Sequence, residues 1–245
     1  MRYLILVILL SLPQWVLASG AHVHLDKANI DLHDRDSLYR GAKLFTSYCL
    51  SCHSAAYMRY NRIGKDLGLS EDEVQAELVK PGSKAGDTMN IVMTPKDAKR
   101  WFGTAPPDLS VLLRVRGADW IYTYLRSFYR DESRPWGVNN AVFKDVAMPH
   151  VLWELQGLQE AETEKHVDEK GVEHEMIVGF KLVEPGKLSP TEYDAAVHDL
   201  VNFLAYLSEP SKLIRMSMGK WVLAFLVVFF VLVFLLKKEY WRDIH

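Results

Sequence analysis

Apolar residues recur at helical spacing along most of the chain and run unbroken only near its two ends. Leu38, Ala42 and Phe45 form a stripe, and Asp36 or Ser37 can cap the helix that carries it through Tyr48. Gly41 on that helix leaves room for another backbone. Residues 70–79 open Ser70-Glu71-Asp72-Glu73 and predict a short capped helix that ends before Pro81. Trp120 to Tyr129 predicts an aromatic-rich helix, stopped by the polar run before Pro135. Ser189-Pro190-Thr191-Glu192 is a capping box with proline at the first helical position. Its helix runs to about Leu207 and lines up Tyr193, Val197, Leu200, Leu204 and Leu207 on one face. Between Gln159 and Lys187 lies an acidic insert with turn signals at Lys170-Gly171 and Pro185-Gly186, which predicts a small β-hairpin. The fold class expected from this pattern is mainly α.

The apolar runs at the ends differ in kind. Arg2 is followed by the apolar stretch Tyr3 to Leu12, then Pro13, and Ala18 offers a small residue for cleavage. That is the pattern of a secretory signal peptide over residues 1–18. Trp221 to Leu236 is sixteen residues without a charge. Such a helix rises about 24 Å against a hydrocarbon core of about 30 Å. Extension back to Met216 closes the gap, because Lys220 can snorkel, and Trp221, Tyr240 and Trp241 suit the interface. Lys237, Lys238 and Arg242 after this run balance Lys212, Arg215 and Lys220 before it, so basic residues alone leave the orientation tied. The export signal decides it. The layout expected is a signal (1–18), an exported domain (19–210), a linker and transmembrane anchor (211–236) and a cytoplasmic tail (237–245).

Charge adds little. The 245 residues carry a net charge of −2 and no basic run, which argues against a nucleic-acid partner. Cysteine usage adds more. The chain has two cysteines, in the run Cys49-Leu50-Ser51-Cys52-His53. This is the attachment pattern of a c-type haem. Each thiol adds across one vinyl group to give a thioether, and the next residue, His53, offers an imidazole to the iron. A thioredoxin-like pair would want a preceding strand, whereas a helical segment precedes this one. A structural zinc site would need four ligands, and no second cysteine pair stands at finger spacing. The His22-x-His24 pair reads as a solvated tail.

A sixth ligand from methionine would suit electron transfer, whereas an open position would bind small molecules. Met58 lies too soon after His53, and Met216 and Met218 adjoin the anchor. Met176 sits in a strand-like stretch and is expected to fill the core. Met89, Met93 and Met148 remain in competition. Met148 is followed by Pro149, which stiffens the chain beside the sulfur.

The segment Arg40-Gly41-Ala42-Lys43-Leu44-Phe45-Thr46-Ser47-Tyr48-Cys49-Leu50-Ser51-Cys52-His53-Ser54, running on through Tyr60-Asn61-Arg62, closely resembles the cytochrome c1 family. Ala105-Pro106-Pro107-Asp108-Leu109-Ser110 resembles the family's Pro-Pro-Asp-Leu-Ser segment, and Ala147-Met148-Pro149 its axial methionine segment. The single C-terminal anchor completes the likeness, which covers essentially the whole mature chain. The resemblance implies a cytochrome c-like haem domain with a hairpin insert and one transmembrane helix. It implies one covalent haem c ligated by His53 and Met148. It places a propionate-binding arginine on Arg116, with Arg114 close behind, and a haem-side aromatic on Trp120, where relatives often carry tyrosine. His150 stands where relatives often have proline or a small residue, which makes it a rival ligand. The implied role is that of the haem subunit of a dimeric ubiquinol–cytochrome c reductase in the inner membrane, with its haem domain in the periplasm. Its partners would be cytochrome b, a Rieske iron–sulfur protein, a cytochrome c acceptor and membrane lipid. Two other readings stand beside it: a tethered electron carrier or oxidase haem subunit outside the quinol complex, and a haem-based ligand sensor or peroxidase.

Overall fold

A computed structural model describes residues 24–167 and 173–244. The signal peptide expected over residues 1–18, His22 and the Lys170-Gly171 turn lie outside the described residues.

Two crossed helices frame the core. Helix α1 spans Arg35–Leu44. Its cap is Asp34 rather than Asp36 or Ser37, with the Ser37 backbone N–H donating to Asp34 Oδ1 at 2.9 Å. Ser37 is drawn inside instead, where its hydroxyl accepts from Asn202 Nδ2 at 3.0 Å. Helix α8, Pro190–Ser208, carries the expected capping box at Ser189 and Glu192. The two helices meet at Gly41, where a Cβ atom would sit 2.0 Å from the Asp199 carbonyl oxygen and 2.7 Å from Phe203 Cβ. Arg40 closes the same crossing with a two-pronged pair to Asp199 at 2.5 and 3.0 Å. Phe45 and Phe203 pack beneath it with ring centroids 5.6 Å apart, both fully buried. Full burial of each is worth about 1.5–3 kcal/mol.

Between these helices the chain runs through short elements. Strand β1 (Ala55–Arg59) pairs antiparallel with β2 (Thr88–Met89). Helices α2 (Tyr60–Leu67), α3 (Glu71–Glu77), α4 (Pro95–Phe102) and α5 (Leu112–Arg116) follow one another around the core. Ser70 and Glu73 form the box that starts α3.

Helix α6 spans Ala118–Arg126, shorter than the sequence suggests. Its last carbonyls are taken by side chains: Asn140 Nδ2 donates to Tyr124 at 2.8 Å, and Gln156 and Gln159 donate to Arg126 at 3.1 and 2.9 Å. The chain then turns into β3 (Phe128–Arg130), paired with β4 (Val138–Asn140). The N-terminal segment straps α6 from outside. The Ala28 N–H and Lys27 Nζ donate to Asp119 at 2.9 and 2.7 Å, and the Asp26 N–H donates to Thr123 Oγ1 at 2.8 Å.

A short helix α7 (Trp153–Gln156) leads into the insert. The insert is the expected hairpin, β5 (Gly157–Val167) with β6 (Glu173–Pro185), longer than the turn signals suggest. Met176 lies in β6 as a strand residue but is half exposed, so it does not fill the core as expected. The hairpin stands out from the domain, with Val178 and Leu182 also exposed. Helix α9, Lys212–Tyr240, is long and apolar enough to cross a membrane, and none of its apolar window is buried in the protein. Its 29 residues rise about 44 Å, enough to pass a hydrocarbon core and both interfaces.

Candidate functional site

The end of α1 does not stop at a cap. It widens into a π-helical turn, Phe45–Cys49, in which the Leu50 N–H reaches back five residues to the Phe45 carbonyl at 2.9 Å. Such turns recur at functional sites. Directly after it, Cys52 N–H and His53 N–H both donate to the Cys49 carbonyl, at 3.0 and 2.9 Å. One tight turn therefore holds Cys49, Cys52 and His53, and all three line the same cavity of about 330 Å³. Both thiols are free and half-buried.

The Pro-Pro-Asp-Leu-Ser segment locks that turn from the far side. The Leu109 N–H donates to the Ser54 carbonyl at 2.8 Å, and the Ala56 N–H donates to Asp108 Oδ2 at 2.9 Å. Its second proline does more. The Pro107 carbonyl lies 2.8 Å from His53 Nδ1. A carbonyl can only accept, so Nδ1 carries the proton and Nε2 keeps its lone pair. Burial holds the His53 pKa below the ordinary imidazole value, which favours the neutral ring that a metal requires. Burial also pushes the Cys49 thiol up to about 12.

The other walls come from α4, α5, α6, α8 and the segment before α7. Leu200 and Leu204 of α8 close the back, and Phe143, Val146 and Met148 come from the loop after β4. Met148 is the one methionine among the described residues lining the cavity. Met58 and Met89 are buried in β1 and β2, and Met93 lies outside the lining. Tyr124 donates its hydroxyl to Met148 Sδ at 3.3 Å. His150 turns away from the cavity and stacks on Phe128 with centroids 4.9 Å apart.

Arg116 and Trp120 line the cavity, whereas Arg114, on the same short helix, lies outside the lining. The Arg116 guanidinium sits 4.9 Å over the Trp120 ring and 5.9 Å over the Phe143 ring. No carboxylate pairs with it among the described residues. A cation held at the mouth of an apolar cavity on aromatic faces, without its own anion, suits an anionic edge of a ligand. Two thiols, an imidazole with a free Nε2, a thioether and this cation fit a covalently held haem c. Sequence reasoning missed Pro107, Tyr124 and Phe143. Pro107 lay inside a segment already singled out, so the signal was present without its role. The other two carried no sequence signal beyond being aromatic.

The chain as a whole resembles known proteins. The sequence model of the Cytochrome C1 family matches residues 26–172 and 182–244. The chain is 53% identical over its full length to cytochrome c1 of Allochromatium vinosum, and covers all of that protein. It is 50% identical, again over its full length, to a Nitrosomonas europaea protein named ammonia monooxygenase gamma subunit, of which it covers 98%. It is 28% identical to a protein of Bradyrhizobium diazoefficiens named cytochrome b/c1, with 86% of this chain matched to 34% of that one. Family match, mainly α fold, haem-fitting cavity and membrane-length helix point one way: the chain belongs to the cytochrome c1 family and is an electron-transport protein with one covalently bound haem c.

Proposed function

We propose that this chain is the haem subunit of a ubiquinol–cytochrome c reductase, taking electrons from a Rieske iron–sulfur protein and giving them to a cytochrome c. The observation that carries the reading is the convergence of Cys49, Cys52, His53 and Met148 on one apolar cavity. Cys49 and Cys52 would hold the haem through two thioethers. His53 Nε2 and Met148 Sδ would hold its iron. Arg116 answers a propionate, Trp120 covers the same side, and Arg114 contributes at most to the surrounding field. A haem c held this way supplies one-electron exchange between ferric and ferrous iron. The chain's own work is to hold both ligands in place, keep water from the iron and leave one edge near the surface.

The surroundings follow from the same reading. Residues 1–18 export the haem domain (19–210) to the periplasm, residues 211–236 anchor it in the inner membrane, and 237–245 stay in the cytoplasm. Cytochrome b lies beside the anchor, and the complex is a dimer. The relative named cytochrome b/c1 carries both names on one chain, which supports cytochrome b as a neighbour.

A second reading has one observation behind it. The Nitrosomonas relative, matched over 98% of its length, is named as a subunit of ammonia monooxygenase. It would make this chain a tethered haem protein outside the quinol complex. Gentle detergent purification of the full chain from its native membrane separates the two. The quinol reading expects b-type haem and a Rieske signal in the same particle. A particle holding this chain with neither would overturn it.

A further inference from the structure

Four side chains on one face of α6 and its flanks make a continuous stack at spacings of four residues. Arg116 lies 4.9 Å over Trp120. Trp120 and Tyr124 are parallel, with centroids 5.0 Å apart and planes at 10°. Tyr124 meets Phe128 edge to face at 5.1 Å and 69°. Phe128 then stacks on His150, two residues beyond Met148, at 4.9 Å and 6°. Helical geometry puts residues four apart one above another, which accounts for the Trp120–Tyr124 step, while Arg116 of α5 and Phe128 of β3 join from the two ends of α6. The stack grips the methionine segment at two points, His150 through Phe128 and Met148 through Tyr124.

The Tyr124 ring is buried, so its hydroxyl needs a partner. Among the described residues, that hydroxyl makes one hydrogen bond, to Met148 Sδ at 3.3 Å. A thioether sulfur has two lone pairs, one for a metal and one to accept this bond. We infer that Tyr124 is a positioning residue that sets the reduction potential of the centre through its hydrogen bond to Met148. This rests on the proposed role of Met148 as axial ligand.

The direction follows from the chemistry. A donor on the sulfur withdraws electron density from it. Ferric iron draws more on its ligands than ferrous iron, so the bond disfavours the oxidised form and raises the potential. Hydrogen bonding to ligands is one of the levers a protein has on a haem. A neutral hydrogen bond is worth about 0.5–1.5 kcal/mol net, of which only the oxidation-dependent part counts. The expected shift is about threefold in the reduction equilibrium, ~30 mV for one electron.

The test compares three variants of the full-length, haem-loaded protein in detergent. Tyr124→Phe removes the hydroxyl and keeps the ring. Tyr193→Phe removes another buried hydroxyl, which donates to the Leu125 carbonyl at 2.8 Å and lies outside the cavity lining. Met148→Leu removes the sulfur. The potential and the far-red band between methionine sulfur and ferric iron are read for each. Tyr124→Phe should keep the band and lower the potential about threefold in equilibrium constant, while Tyr193→Phe loses only melting temperature. An unchanged potential in Tyr124→Phe, or an equal shift in Tyr193→Phe, overturns it. A band that survives in Met148→Leu overturns the ligand assignment itself.

Discussion

At the level of single residues, the site is a set of neutral donors placed by hydrogen bonds from their neighbours. The Pro107 carbonyl fixes the His53 tautomer, and Tyr124 reaches the Met148 sulfur. Met148→Leu should leave haem attached through Cys49 and Cys52, lower the potential and open the reduced iron to carbon monoxide. An unchanged potential with no carbon monoxide binding would remove Met148 from the centre. Arg116→Leu should lower the potential by ~20–40 mV, equivalent to about 0.5–1 kcal/mol for a partly exposed charge near a propionate. Arg114→Leu should leave it in place, because Arg114 lies outside the cavity lining. Redox titration of the two variants checks both, and equal shifts would contradict the assignment. The cysteines and His53 were legible as a motif because covalent attachment demands fixed spacing. Met148 was legible only as one candidate among several, since a sulfur reaches its site through folding that spacing does not encode.

At the level of elements, the crossing of α1 and α8 and the strap on α6 hold the cavity walls. A methyl group at position 41 would meet the Asp199 carbonyl at 2.0 Å, where backbone on both sides cannot yield cheaply. Gly41→Ala should therefore cost about 1–3 kcal/mol, as overpacking does, and a denaturant melt will read it. Ser189→Ala should cost about 1 kcal/mol by removing the cap of α8. The strap adds a pH dependence. The Asp119 carboxyl lies below the ordinary carboxylate range because it accepts from Lys27 and from the Ala28 N–H. A depressed folded pKa contributes stability above the unfolded value, about 3.9, and loses it as pH falls further. The melting difference between the native protein and Asp119→Asn should be present near pH 6 and shrink below about pH 4. A difference that grew on acidification would contradict the pairing. The capped helices α3 and α8 were legible because a capping box is a local signal. The π-turn before Cys49, the Asp34 cap and the early end of α6 were not. The last two depend on partners far along the chain: Asn202, which draws Ser37 inside, and Asn140, Gln156 and Gln159 at the end of α6.

On the scale of the whole molecule, the chain is a haem domain on a membrane-length stalk. Helix α9 presents no buried apolar face to the domain, so its surface is free for lipid and for other membrane helices. A chain that stops after Glu209 should be exported, keep its absorption spectrum and potential, and leave the membrane fraction. A truncated chain that lost its spectrum would mean that α9 supports the cavity. The anchor was the most legible feature of the sequence, since an unbroken apolar run allows few other readings. The hairpin was legible as an insert, but its reach and its exposed face followed from pairing across the full length of β5 and β6. The proposed role puts this haem between quinol oxidation and cytochrome c. The direct test is to follow the c-type absorbance of native membranes after adding a quinol and then oxidised cytochrome c, against membranes lacking this chain. Reduction by the quinol and reoxidation by cytochrome c are expected, both absent without the chain. A haem of this chain that stays oxidised under quinol, yet is reduced by a strong chemical reductant, would contradict it.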